Sequence, residues 1–216
     1  MQTQTKQVPV SRPADNSGIV VCWSCKGPVE SGALFCPVCE VVQPPGQIDH
    51  FSRLGLEVSF NVNQKILDRR YFDLQRHLHP DRFATKTPRE RALSQSQATS
   101  LNQAYEVLKD DLGRADYLIH LQGTDALPEG CCLINDQELL MESLELREAL
   151  AKAKTAAEVD ALAHRAAGDI ETCVGQLSSL FADGDMEGAC RLTTRLKYFR
   201  KLAEETRQAK TRVAGG

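Results

Sequence analysis

The sequence predicts an all-α protein: a small cysteine-rich module, then a helical hairpin, then a C-terminal three-helix bundle. Three observations predict it. Apolar residues recur at helical spacing through 47–122 and again through 136–210, with no strand-like alternation of any length outside the cysteine region. Cys22, Cys25, Cys36 and Cys39 cluster in a segment too short to bury a core of its own. Turn-forming stretches punctuate the joins, with Gln43-Pro44-Pro45-Gly46 reading as a linker and Gly123 to Asn135 as a loop. The chain accordingly divides into a tail (1–18), the four-cysteine module with its linker (19–46), a first helical domain (47–122), a loop (123–135), the bundle (136–210) and a short tail (211–216).

Composition narrows the function classes. With 216 residues and 42% hydrophobic content, the chain can form one or two helical domains besides the module. A net charge of −3 argues against general nucleic-acid binding, so any basic surface is local. The sequence contains no run of apolar residues long enough to span a membrane. Met1 to Gly18 has Lys6 and Arg12 as its only positive charges and no apolar core, which fits neither a secretory signal nor an amphipathic presequence. A cytoplasmic location is therefore expected. In that setting the eight cysteines point to thiol or metal chemistry rather than disulfides.

The elements follow in order. Asp49 to Leu54 forms a short helix that Gly55 ends. Asn63 caps a helix reaching Leu78, with Leu67, Tyr71, Leu74 and Leu78 as its inward stripe. Lys65, Arg69 and Arg76 fall on another face, with Arg70 and His77 beside them. His79-Pro80-Asp81 then occupies a loop, because proline lacks the N–H that would continue the helix and clashes with the preceding turn. Pro88 suits the first turn of a helix running to Lys109, with Leu93, Leu101, Ala104, Tyr105 and Leu108 inward. Three more helices are expected: Asp136 to Ala153, then one capped by Thr155 and reaching Ala182, then Met186 to Lys210 after the Asp183-Gly184-Asp185 turn. They form an up-down-up bundle.

The cysteines read as two Cys-x-x-Cys turns, Cys22-Trp23-Ser24-Cys25 and Cys36-Pro37-Val38-Cys39. Each turn presents two thiolates to one metal, and together they close a tetrahedral sulfur shell with no open position. This is a structural zinc-knuckle module holding one zinc per chain, whose metal supplies folding energy. An iron centre in the same thiolates is the other reading. A redox dithiol pair is the enzymatic rival. Among the remaining cysteines and aromatics, Cys173 and Cys190 read as buried thiols in helices, Cys131-Cys132 as loop residues, and Trp23 as packing on the knuckle or linker. His120 and His164 read as ordinary helix residues.

The rigid tripeptide gains meaning from what flanks it. Asp49-His50-Phe51-Ser52-Arg53-Leu54-Gly55-Leu56 precedes the basic helix, and Asn102-Gln103-Ala104-Tyr105-Glu106-Val107-Leu108 follows the loop. With Tyr71, Leu78, His79, Pro80, Asp81 and Phe83 in the same order and helical phase, residues 47–112 resemble a J-domain. The resemblance implies stimulation of ATP hydrolysis in a DnaK/HscA-type heat-shock chaperone. His79, Pro80 and Asp81 would touch that partner, and Lys65, Arg69, Arg70 and Arg76 would supply a basic docking face. The chain itself carries no phosphate-cradling glycine-rich loop, and no catalytic residue is assigned.

The first bundle helix carries two apolar stripes. Leu139, Leu146 and Leu150 can face the bundle, which leaves Leu140, Met141 and Leu144, flanked by Glu142, Glu145 and Glu148, to a partner or to cover by the J-domain. Methionine suits an adaptable protein contact. A J-domain followed by Arg114-Ala115-Asp116-Tyr117-Leu118 and Leu140-Met141-Glu142-Ser143-Leu144-Glu145-Leu146-Arg147-Glu148 is similar to the HscB-type iron–sulfur co-chaperones, from about Asp49 to Leu202. That resemblance implies a bundle that binds an IscU-type cluster scaffold through Leu140, Met141, Leu144, Glu145, Glu148 and Tyr198. The cysteine knuckles depart from the shortest bacterial members and resemble the extension of mitochondrial and some bacterial ones. A mitochondrial matrix location is thus the alternative to bacterial cytoplasm. The rival binding module, a general J-protein recruiting unfolded clients, fits poorly with only four knuckle cysteines and no Gly/Phe-rich linker.

Overall fold

The computed structural model describes residues 18–122 and 137–214. Seven helices and one short antiparallel hairpin make up the described elements: β1 Ile19–Val21, β2 Pro28–Glu30, α1 His50–Arg53, α2 Gln64–Leu78, α3 Pro88–Lys109, α4 Asp111–Gln122, α5 Gln137–Lys152, α6 Ala156–Asp183 and α7 Met186–Ala214. Val20 lies opposite Val29 in the hairpin. The all-α reading with a small cysteine module holds, and the only paired strands among the described residues lie in that module.

Local chemistry explains the helix ends. Asp49 accepts from the Ser52 N–H at the start of α1, and Asn63 Oδ1 accepts from the N–H groups of Lys65 and Ile66 at the start of α2. At α3, Thr87 and Glu90 bond reciprocally, Glu90 N–H to Thr87 Oγ1 and Thr87 N–H to Glu90 Oε2. The same capping box forms between Thr155 and Glu158 at α6. Backbone and hydroxyl donors from Lys154 and Thr155 hold the Glu158 carboxyl below its ordinary range. Gly184 ends α6 in the left-handed conformation, at φ 73°, that a glycine adopts without strain. Replacing Thr155 by Ala should cost about 1 kcal/mol, read by denaturant unfolding.

Two departures from the sequence reading are physical. The residues after His79 do not form an open loop: Pro80–Phe83 makes a single 3-10 turn, with Phe83 buried beneath it. Residues 111–122 form a separate helix, α4, because Asp110 interrupts the run and caps it, its carboxylate accepting from the Gly113 N–H at 2.8 Å. One cysteine expectation needs correction. Cys173 is a buried free thiol, whereas Cys190, though buried, is disulfide-bonded. Helical periodicity predicts burial; it does not predict whether a second sulfur lies within reach. Cys131 and Cys132 lie outside the described residues.

The chain divides into two compact units, Met1–Leu56 with Arg69–Ala104, and Glu57–Asp68 with Tyr105–Gly216. In the first, Phe51, Leu54, Leu78 and Leu101 are fully or almost fully buried, and Ser94 Oγ, itself buried, donates to the Leu78 carbonyl at the end of α2. In the second, α6 and α7 pair along their length through Val159, Ala166, Leu177, Leu196 and Phe199, and α5 adds Leu139, Leu146 and Leu150. Here α4 packs on α7, with Lys197 paired to Asp116 at 2.8 Å and Arg200 paired to Asp110. Phe60 stacks on Phe181 with ring centroids 5.3 Å apart. No helix among the described residues is long and apolar enough to cross a membrane.

Candidate functional site

The cysteine turns build one compact sulfur site. Each turn closes the same way: Lys26 N–H bonds the Cys22 carbonyl at 3.1 Å, and Glu40 N–H bonds the Cys36 carbonyl at 2.9 Å. Lys26 and Glu40, directly after the second cysteine of each turn, both take positive φ, at 64° and 58°. The turned backbone then aims N–H groups at sulfur, from Ser24 to Cys22, Gly27 to Cys25 and Val38 to Cys36, each at 3.4 Å. Space is tight at Gly27, where a Cβ would sit 3.1 Å from the Val38 side chain and 3.3 Å from the Cys25 sulfur.

The four ligand atoms lie within 4.8 Å of one another. Cys22 and Cys39 are 3.8 Å apart and Cys25 and Cys36 are 3.6 Å apart, sulfur to sulfur. A tetrahedral ion with metal–sulfur bonds of about 2.3 Å needs sulfurs roughly 3.8 Å apart, so the donor set fits such an ion. The thiols also titrate as a crowded set. Burial pushes Cys22 up, but the donors at Cys25, Ser24, Cys36 and Gln43 outweigh it and bring the thiol down to about 6. At Cys25 the Gly27 N–H pulls down, yet the sulfurs of Cys39, Cys36 and Cys22 together with burial push it up to about 12. The Cys22 thiolate forms readily while ionisation of Cys25 is opposed, an opposition that a bound cation relieves.

The module has little core besides its sulfurs: buried Cys22, Val29 and Cys36 with Ala33 and Val41 packed against them, and fully buried Val42. Trp23 packs on the module as expected, whereas the attachments to α3 through Arg89 and Gln97 were not legible in the sequence. Trp23 donates from Nε1 to the Val42 carbonyl at 2.8 Å and carries the Arg89 guanidinium over its ring at 4.3 Å. Buried Gln43 donates to the Cys22 sulfur at 3.4 Å, and its own carbonyl accepts from buried Gln97 at 3.0 Å. A polar residue in the inward phase of α3 was the available signal for Gln97.

The second candidate surface joins α2 to α3. Pro80 ends α2 and His79 caps the following turn, with its Nδ1 3.4 Å from the Asp81 N–H and 3.5 Å from the Asp81 carboxylate. Both side chains stay accessible, at 54% for His79 and 89% for Asp81. Phe83 below and the Arg82 guanidinium on the Arg76 carbonyl, at 3.4 Å, hold the turn. Lys65, Arg69, Arg70 and Arg76 are all exposed along α2. Arg69 and Arg76 make only long pairs to Asp73, at 4.0 and 3.7 Å.

The third lies on α5. Leu139, Leu146 and Leu150 are buried while Leu140, Met141 and Leu144 are exposed by 50, 62 and 61%. Glu142 turns out to serve the fold, bonding Arg165 of α6 at 3.2 Å and Arg195 of α7 at 2.7 Å. Glu145 is exposed in the hollow that Met141 shares with those arginines, and exposed Glu148 pairs with Lys152 at 3.1 Å. Tyr198 is half-buried in a different hollow with Leu139, Ser143 and Leu146. The Arg147 guanidinium lies 6.0 Å from its ring and pairs with Glu205.

Residues 135–207 match the family model described as the HSCB C-terminal oligomerisation domain. The chain is 34% identical over 194 residues to the iron-sulfur cluster co-chaperone protein HscB of Mus musculus, covering 88% of this chain and 82% of the relative. It is 32% identical over 174 residues to the co-chaperone protein HscB homolog of Vibrio cholerae, covering 78% of this chain and all of the relative. The crystal structure of human co-chaperone protein HscB superposes with a TM-score of 0.82 at 32% identity, covering 88% of this chain and 98% of that one.

Proposed function

The chain belongs to the HscB family of iron–sulfur cluster co-chaperones, and from that premise we propose a two-handed delivery role. The J-domain face of α2 and the His79-Pro80-Asp81 turn engage a DnaK/HscA-type chaperone and raise its ATPase rate. The Leu140, Met141 and Leu144 surface of α5 binds an IscU-type cluster scaffold, with Glu145, Glu148 and Tyr198 around it. The protein brings cargo and trigger together, and performs no chemistry of its own.

The observation that carries the reading is the pair of exposed recognition elements that the fold does not use. A helix of the bundle needs one buried face, and Leu139, Leu146 and Leu150 provide it, so three further large apolar side chains on the outer face of α5 are available to a partner. The turn at His79 is equally dispensable to the core, yet it is pinned by Pro80 and Phe83. Pinning lowers the ordering cost at binding, so the contact gains affinity for the chaperone. The cations on α2 steer an acidic partner, which sets the encounter rate rather than the specific contact.

The four-cysteine module holds one structural zinc through Cys22, Cys25, Cys36 and Cys39. Four thiolates with near-tetrahedral spacing favour zinc and leave no coordination position for substrate. Its role is to fold the module and keep Trp23 and Gln43 seated on α3.

Scaffold binding is tested by calorimetry on single Leu140→Ala, Met141→Ala and Leu144→Ala proteins. Anchors at an interface centre cost about 2 kcal/mol each, roughly 30-fold in Kd. All three side chains are exposed, so the variants fold as the parent does. Affinity unchanged in all three would move the scaffold to another surface.

A further inference from the structure

Nine large hydrophobic side chains stay exposed among the described residues, and Phe72, at 52%, is the only aromatic ring among them. Helical spacing puts it on one stripe with Arg69 and Arg76, three residues after the first and four before the second. Neither arginine is committed. Both reach only Asp73, in exposed pairs of 4.0 and 3.7 Å that exchange readily for a partner's carboxylates.

The ring has an aromatic neighbour in Tyr71. It meets Tyr71 edge-on, with centroids 5.2 Å apart and planes at 61°. Tyr71 is itself fixed, its hydroxyl donating to Asn102 Oδ1 at 3.0 Å and accepting from Gln75 Nε2 at 2.8 Å. A single exposed apolar side chain is unremarkable by itself. An exposed aromatic ring set against Tyr71 and flanked by two loosely paired guanidiniums has the make-up of a binding hot spot with its polar rim.

We propose that Phe72 is the apolar anchor of the chaperone-docking face: its ring enters an apolar recess on the ATPase partner, and Arg69 and Arg76 engage acidic groups around that recess. The proposal rests on the J-domain reading above. It assigns separate tasks to neighbouring side chains. The arginines accelerate encounter with an acidic surface and are screened by salt, while the buried ring slows dissociation and is not. The cationic stripe selects the occupant, because two guanidiniums beside the ring, held only by long exposed pairs to Asp73, disfavour a basic surface there.

The test titrates the partner chaperone's ATPase with full-length parent, Phe72→Ala, Phe72→Lys and His79→Gln proteins, at low and high salt. Phe72→Ala should raise the half-maximal concentration about 30-fold, the scale of an aromatic hot spot, with the maximal stimulated rate unchanged. Phe72→Lys should recover binding at low salt only. Melting curves and solution mass of the variants accompany the titration. A Phe72→Ala curve that superimposes on the parent's while His79→Gln is silent overturns the anchor and leaves the docking reading standing. Lowered melting or altered mass with unchanged stimulation overturns it in favour of a ring covered by this chain or a second copy. Full stimulation by His79→Gln sinks the underlying reading and the anchor with it.

Discussion

A His79→Gln protein should bind scaffold with parental affinity and leave the partner chaperone's ATPase at its basal rate. The substitution is mild for the fold. His79 is more than half exposed, and its structural task is to accept from the Asp81 N–H, which a glutamine carbonyl oxygen can do. Such surface changes fall within about 0.5 kcal/mol. What glutamine lacks is the ring set at a fixed angle between Pro80 and the end of α2. The expected loss is therefore in maximal stimulation, with circular dichroism and scaffold calorimetry unchanged. Single-turnover ATP hydrolysis with saturating co-chaperone measures it. Normal stimulation by this variant would remove the J-domain function from the turn altogether.

Stripping the metal should unfold the N-terminal module and leave the bundle folded. Metal binding to such thiolate sites is worth roughly 10–16 kcal/mol in apparent free energy, far more than burial of Val29 with partly buried Ala33 and Val41 can replace. Cys36→Ser, or a strong chelator, is expected to free Trp23 from the Val42 carbonyl and from Arg89. Trp23 is the sole tryptophan, so its emission reports the module alone and should shift to the red. Scaffold affinity should not change. The pH dependence has a definite sign. With Cys25 pushed up to about 12 in the thiol set, metal uptake near neutrality displaces protons, so apparent affinity rises with pH and metal is released on acidification. Proton release on zinc addition to the stripped protein measures this. A protein that gives up one zinc with unchanged Trp23 emission would contradict a structural role for the site.

Much of this was legible in the sequence because it is local. Three-residue spacing between cysteines sets the turn geometry whatever surrounds it. A period of 3.6 residues separates buried Leu139, Leu146 and Leu150 from exposed Leu140, Met141 and Leu144. Proline at position 80 stops α2, and Thr155 with Glu158 starts α6. The cysteine cluster, the tripeptide and the apolar stripe could be named from spacing alone for that reason.

The sequence by itself thus determined all the long helices but α4, their inward faces and the chemistry each candidate site can offer. Tertiary structure decided which side chains those sites keep for partners. Glu142 reads as a flank of the apolar stripe until Arg165 and Arg195, 23 and 53 residues away, claim its carboxylate. Gln43 reads as linker until Gln97, 54 residues on, donates to its carbonyl. Cys190 reads as a thiol until its bond is seen. Phe72 passes as one more helix residue until Tyr71, tied to Asn102, meets its ring edge-on in solvent between two arginines. The reason is the same in each case. Periodicity reports which way a side chain points, while its partner is chosen when residues distant in sequence pack, and no local pattern carries that choice.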